Sequence, residues 1–425
     1  MGRTGTSWSV GSVITRILLF IAAFLTLNHI GMSFAGASEK TEDLLPPYKI
    51  VRSLQYVQDA VVLGDHSAGE MQKHLLTIVD DRLRRADQLV FEDKRNVEAA
   101  FIYAMSGGNP KTLVYLVERD DMNRFDRRLA SALTDYFSGL PEKARPEFQK
   151  LLPEFADSRI GAYLTLVTAN VTAARNENEA LRLFDWARLL APGTIIEESA
   201  LRRATHVASR SGDINRALDN SERYVRRFLH SPYASQFVDI FVYAIVTHSE
   251  TVDQERMEYV LSLMDRSRQR EIYLRMARMS TIAGKEDIAL LAASRAEALS
   301  GETRDVVRDL AGFYAGVAKV PSGDVETAVE AIAAIPDERL SERDRALRDA
   351  AKMIAQQVTA APDPEVLKAP SGPAVPVNAD AVGQSPDAPA QPAVQEATGS
   401  FDQFMDNKRA ALDDIDSLLN ETGNE

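Results

Sequence analysis

The sequence predicts an all-α protein in which helical hairpins follow one another along the chain. Two observations predict this class. Apolar residues recur at helical spacing from about residue 48 to residue 358, and no sustained two-residue alternation bounded by hairpin turns interrupts them. Ala, Leu, Arg and Glu dominate the same stretch, and all four favour helices.

A recurring turn refines this prediction to a repeat array. Three glycines each precede an alanine by five residues, namely Gly212 and Ala217, Gly284 and Ala289, and Gly323 and Ala328. Small and bulky residues then follow at matched spacing: Ala180, Phe184 and Ala187 before Pro192; Ala289, Ala293 and Ala296; and Ala328, Ile332 and Ile335 before Pro336. Small residues let antiparallel helices approach, and proline stops a helix.

This pattern is typical of the tetratricopeptide repeat, a helix-turn-helix unit of about 34 residues. The alanines at 180, 217, 289 and 328 are separated by 37, 72 and 39 residues. We therefore expect an irregular, tetratricopeptide-like α-solenoid over residues 38–358. An unrelated helix bundle with alanine-rich contacts is the alternative.

Four or more further helices are predicted upstream, where the repeat pattern is weak. They include residues 48–62, 72–84, 96–105 and 112–118, with glycine-containing turns at 64–65 and 107–109.

The N-terminus predicts a signal peptide over residues 1–37. Arg3 and Arg16 precede an apolar run at 17–27, and small residues end in Ala35-Gly36-Ala37. Positive charge, a short apolar core and an Ala-x-Ala site are the parts of a secretory signal in their usual order. Cleavage after Ala37 would release the chain into the periplasm, with no membrane insertion.

The alternative is an uncleaved anchor, since no charged residue occurs between 17 and 37 and such a stretch could span a bilayer. Asn28, His29 and Gly31 interrupt the apolar run, which favours cleavage.

Composition excludes several kinds of site. The chain has no cysteine, so disulfides, thiolate metal sites, a lipid-anchored cysteine and cysteine nucleophiles are excluded. The net charge is −13, and loss of residues 1–37, which hold two arginines and no acid, makes it −15. A surface this acidic repels nucleic acid and anionic lipid; it suits a basic partner, or it only keeps the protein soluble.

The C-terminal part changes composition twice. Residues 359–399 form a Pro/Ala-rich linker that we expect to be disordered, with eight of the 18 prolines between 362 and 392; extended, it would reach on the order of 100 Å. Residues 400–425 hold a predicted amphipathic helix and tail. Its apolar positions are the candidate partner-binding residues: Phe401, Phe404, Met405, Leu412, Ile415, Leu418 and Leu419. Its acid-rich polar face favours a protein groove over an anionic membrane, and docking on the chain's own body is the alternative.

No catalytic, cofactor or metal site is predicted. His66, His74, His206, His230 and His248 show no metal-binding spacing, and phosphate-loop, EF-hand and nucleophile-elbow motifs do not occur. Glu198-Ser199 matches the catalytic dipeptide of soluble lytic transglycosylases, which are exported helical enzymes, but their downstream Gly-Leu-Met-Gln element is missing. We therefore expect a protein that is not an enzyme.

Several short segments resemble the MotC family of periplasmic motility proteins from flagellated alphaproteobacteria. They are VRSLQYVQD at 51–59, GDH at 64–66, MQK at 71–73 and AMSGGNP at 104–110, and the likeness spans about residues 48–354. The resemblance implies a non-enzymatic accessory of the flagellar motor that acts on the periplasmic part of the stator protein MotB, in its folding or placement. The alternative is a general tetratricopeptide-type scaffold for a cell-wall or secretion assembly.

Overall fold

The structure is a computed structural model that describes residues 45–300, 306–320 and 325–359, without the side chains of residues 327 and 331. These residues belong to the first of two compact units, residues 1–360 and 361–425. The predicted signal peptide at 1–37 and the predicted helix at 400–425 lie outside the described residues, as does the predicted linker beyond Thr359. Within the described ranges every regular element is a helix, which confirms the predicted class.

The first six α-helices include the four predicted upstream, which begin one to four residues earlier than expected. They are α1 (Pro47–Val62), α2 (Ala68–Arg85), α3 (Lys94–Met105), α4 (Pro110–Glu118), α5 (Arg127–Phe137) and α6 (Pro141–Phe155), with a 3₁₀ turn at Gln88–Glu92 between α2 and α3.

Eleven further α-helices form the repeat array in the described ranges. They are α7 (Gly161–Thr172), α8 (Glu177–Leu190), α9 (Ile195–Arg210), α10 (Ile214–Phe228), α11 (Ala234–Thr247), α12 (Gln254–Ser262), α13 (Arg266–Ile282), α14 (Glu286–Ala298), α15 (Val306–Lys319), α16 (Val325–Ala333) and α17 (Glu342–Thr359), with a 3₁₀ turn at Asp337–Arg339 before α17. The odd-numbered helices α7, α9, α11, α13 and α15 each contact the next. Consecutive helices α7–α8, α9–α10, α13–α14 and α15–α16 pack as hairpins, so the hairpin array is confirmed.

The predicted turn glycines have a conformational role. Gly212 and Gly284 have φ of 79° and 66°, in the left-handed region where glycine carries no steric penalty. Each ends the first helix of a hairpin, so the next helix can start two residues later. Gly323 lies outside the described residues.

The predicted small residues pack between helices. Ala180, Ala217, Ala289 and Ala328 are each at most 3% exposed, and each is the fourth residue of its helix. The interval of 72 residues that made the array look irregular holds one more repeat. Met257, fully buried, is the fourth residue of α12, 40 residues after Ala217 and 32 before Ala289. Methionine adapts its shape to an irregular space, so this repeat keeps the packing position without the alanine.

Helix α1 contacts helices far along the chain as well as its neighbours. It contacts α2, α3 and α9. Val51, Leu54 and Val62 on its packed face are at most 1% exposed. Gly64, just after α1, has φ of 109°, and a Cβ there would lie 2.7 Å from the Cβ of His230. The first helix is therefore fixed across several hairpins of the array.

Candidate functional site

A groove runs along the exposed side of α1. It consists of three adjoining cavities of about 400, 390 and 550 Å³ between α1, α3 and the turn from α6 to α7. The residues shared between cavities define it: Tyr48, Arg52, Gln55, Arg95 and Arg159. We call this surface the α1 groove.

Polar contacts fix the position of α1 and hence the shape of the groove. Gln55 Nε2 donates to the Tyr163 hydroxyl of α7 at 2.9 Å. The Ile195 N–H at the start of α9 donates to Asp59 Oδ1, also at 2.9 Å. The Asp59 carboxylate thus satisfies an N–H at a helix start that lies 136 residues away in sequence. These bonds join α1 to two successive hairpins of the array.

The basic end of the α1 groove contains one preorganised arginine. Arg95 donates from Nε and Nη2 to the Asp93 carboxylate at 2.6–3.0 Å, and its guanidinium lies 4.2 Å from the centre of the Tyr48 ring. Hydrogen bonding to Asp93 raises the pKa of Arg95. Hydrogen bonds from two guanidinium nitrogens and a cation–π contact hold this guanidinium in place.

The other cations of the groove are weakly paired or unpaired. Arg159 Nε lies 3.8 Å from Glu98 Oε2, which is beyond hydrogen-bond distance. Lys49 and Arg52 are exposed, and neither side chain has a hydrogen bond or an ion pair within the described residues. In a chain whose net charge is −13, this end of the groove has an excess of positive charge.

The other end of the groove is mixed in charge. Asp59 and Asp157 line it together with Ser158 and Thr194. Burial raises the pKa of Asp59, and the hydrogen bond from Ile195 lowers it by less. The groove is therefore polarised, with its unpaired cations beside α3 and its carboxylates beside the start of α9.

Helix α9 carries a second basic surface. Arg203 is exposed to solvent on this helix. His206, one turn on, has its pKa lowered by burial and then by Arg210 and Arg203.

The Glu198 carboxylate lies in the packed interior of the array. Its side chain has no exposed surface. Glu198 Oε1 accepts hydrogen bonds from Arg202 Nε at 2.9 Å and from the Tyr224 hydroxyl at 2.8 Å. A catalytic acid must touch its substrate, and no polysaccharide can reach this carboxylate. The dipeptide shared with lytic transglycosylases has a structural role here.

Neither a metal-binding cluster nor a membrane-spanning helix is found among the described residues. In that part of the chain no cluster of His, Asp or Glu side chains could hold a metal ion. None of the described helices has both the length and the hydropathy that a bilayer span requires. The histidines at 66, 74 and 230 lie at helix ends or on exposed turns and surfaces.

The predicted partner-binding residues between Phe401 and Leu419 lie outside the described residues and stay a prediction. The α1 groove was not predicted from the sequence, although the sequence holds one signal of it. Tyr48, Arg52 and Tyr56 recur every four residues and so share one face of a helix. Tyr56 is 76% exposed, which is unusual for a large aromatic side chain.

Comparisons with known proteins agree with the resemblance noted in the sequence. The family model described as Chemotaxis protein MotC matches residues 11–424. A chemotaxis protein MotC from Rhizobium meliloti (strain 1021) is 42% identical over 435 residues, covering 97% of this chain and all of the relative. No solved structure matches the chain. The match over nearly the full length shows that this chain belongs to the MotC family of chemotaxis proteins.

Proposed function

We propose that this chain is a periplasmic, non-enzymatic accessory protein required for flagellar rotation. In this proposal it binds the periplasmic part of the stator protein MotB and chaperones or positions it. Membership of a motility family over residues 11–424 is the observation that carries the proposal. The predicted signal peptide supports a location in the periplasm, and the resemblance to the MotC family supports MotB as the partner.

The fold supports a binding role for the protein. Stacked helical hairpins present an extended surface on which a peptide segment can be held. The α1 groove offers such a surface, with three adjoining cavities and exposed tyrosine and arginine side chains. Tyrosine and arginine are enriched at protein interfaces because they combine large contact area with directional hydrogen bonds.

Deletion of the gene, followed by complementation with the full chain, tests the role in motility. We expect the deletion strain to assemble flagella without swimming, and the full chain to restore swimming. Normal swimming of the deletion strain would end the proposal.

Photo-crosslinking in living cells tests the partner. A photoreactive amino acid at Tyr56, in the groove face of α1, should give a covalent adduct containing MotB. Tyr259 is the matched control, because it is also exposed (47%) but lies on α12. Adducts of cell-wall or secretion proteins without MotB would instead favour the general scaffold.

A further inference from the structure

The exposed face of α1 has the composition of a binding surface. Tyr48, Arg52 and Tyr56 span about 12 Å along the helix, at 1.5 Å per residue. The opposite face is buried through Val51 and Leu54, so the fold already uses the apolar stripe of α1. Tyr48 packs partly against the core and on Arg95, but neither packing nor helix formation requires an exposed arginine and an exposed tyrosine at positions 52 and 56.

The charges on the α1 groove indicate the sign of its ligand. The acids near its basic end, Asp93 and Glu98, face Arg95 and Arg159. Lys49 and Arg52 remain without an anion among the described residues. Two unpaired cations beside an exposed tyrosine suit a ligand that carries carboxylates next to an apolar side chain.

The charge of the whole chain restricts the size of the ligand. A nucleic acid or an anionic bilayer would extend past the groove and meet a protein of net charge −13, whose field repels extended polyanions. A short acidic segment that reaches only the groove avoids this repulsion. A loop or a helix with clustered Asp and Glu residues would be such a segment.

We propose that the α1 groove binds an acidic segment of a partner protein, whose carboxylates engage Lys49 and Arg52 while an apolar side chain packs on Tyr56. Arg95 is held in place by Asp93 and leaves its Nη1 donors available, so it binds at a low entropic cost. This inference rests on the proposed function in one respect, namely that the segment belongs to MotB.

Peptide binding to the full chain tests the chemistry independently of MotB. The probes are a short fluorescein-labelled peptide of Glu and Leu and its Gln/Leu counterpart, measured by fluorescence anisotropy. The acidic peptide should bind and the neutral one should bind more weakly, with affinity falling as salt is raised. The double variant Lys49→Glu/Arg52→Glu should lower the affinity for the acidic peptide by about tenfold or more.

Two variants control for folding and for general electrostatics. Arg223→Glu changes an exposed arginine of α10 that has no hydrogen bond or ion pair within the described residues, so it should leave the affinity nearly unchanged. Tyr56→Ala should weaken binding without moving the urea unfolding midpoint, because this side chain is 76% exposed. If Arg223→Glu lowered the affinity for the acidic peptide as much as the double variant does, the inference would be overturned. The net charge of the whole protein, and not the groove, would then explain the loss.

Binding of the whole periplasmic part of MotB separates this inference from the proposed function. If MotB binds the double variant as tightly as the unaltered chain, the acidic-segment inference fails and the proposed function stands. If MotB does not bind at all while the Glu/Leu peptide does, the proposed partner is wrong and the groove chemistry stands. If Asp→Asn changes within residues 402–416 of the full chain increase the affinity for the acidic peptide, the chain's own acidic segment competes for the groove, which would overturn the assignment to a partner.

Discussion

Replacement of Glu198 by alanine should be among the most damaging single changes in the array. Glu198 is fully buried, and Arg202 beside it is 8% exposed. The Arg202 guanidinium donates twice to Glu198, at 2.9 and 3.2 Å, and once to Gln236 Oε1 at 2.7 Å. Desolvation lowers the pKa of Arg202, but the charge of Glu198, its hydrogen bond and the two nearby tyrosines together outweigh it and hold that pKa above its usual value. The arginine therefore stays charged, and Glu198→Ala leaves it in the interior without its anion.

The expected loss follows from that unpaired charge. Removing one partner of a buried ion pair destabilises a protein by about 3–5 kcal/mol, because the remaining ion keeps its desolvation penalty. The lost hydrogen bond from Tyr224 is part of the same network, so its contribution is not added separately. Glu198→Leu combined with Arg202→Met removes both charges and should be less destabilising than Glu198→Ala alone.

Urea unfolding followed by circular dichroism measures these differences, with the slope of the transition checked for constancy. The matched control is Glu222→Ala on α10, which breaks an i,i+4 pair to Arg226 at 2.9 Å whose side chains are 32% and 48% exposed. This change should lower the free energy of unfolding by only about 0.3–0.5 kcal/mol. If Glu198→Ala were no more destabilising than Glu222→Ala, the argument from buried charge would be wrong.

Three further predictions concern residues at contacts between segments that are distant in sequence. Gly64→Ala should lower the melting temperature, because φ is 109° and the new Cβ would lie 2.7 Å from His230 Cβ, whereas Gly69→Ala inside α2 meets no atom within 4 Å and should be neutral or stabilising. Asp59→Ala should lower the free energy of unfolding by about 1 kcal/mol, because the Ile195 N–H at the start of α9 loses its acceptor; amide exchange there should become faster. Asp59→Asn keeps an acceptor for this N–H and should cause neither change. Burial raises the pKa of Asp344, but hydrogen bonds from Ser341, Arg278 and Tyr314 outweigh it, so the net pKa lies below 3.8. The stability from Asp344 should therefore be fully present above pH 3.8 and be lost as the pH falls through the lower folded-state value; an Asp344→Asn variant whose urea midpoint falls just as steeply with acid would contradict this.

The local pattern predicts the helices well because their signals are local. Buried alanines and turn glycines specify hairpins one at a time, and the structure has these hairpins where the pattern indicated. The repeat that contains Met257 was not predicted, because its packing position requires only a side chain that fits the space, and more than one residue type fits it. A search for alanine alone therefore joined two repeats into one long interval.

The α1 groove could not be predicted in the same way, because it depends on contacts between distant segments. Asp59 and Ile195 are 136 residues apart, and no pattern within a helix length relates them. Glu198 shows the same difficulty, since its dipeptide with Ser199 suggests chemistry until its burial beside Arg202 is known. Local periodicity reports which face of a helix is apolar, but not which other segment covers it.

The placement of α1 links stability to the proposed binding role. Its packed face completes the interior beside α3 and α9, and its outer face displays Arg52 and Tyr56. Variants that loosen α1, such as Gly64→Ala, should therefore weaken both folding and partner binding, whereas Arg52→Glu should weaken binding alone. A variant such as Arg52→Glu that weakens binding and leaves stability unchanged would identify α1 as a binding element. In a helix with only a structural role, no such variant would be found.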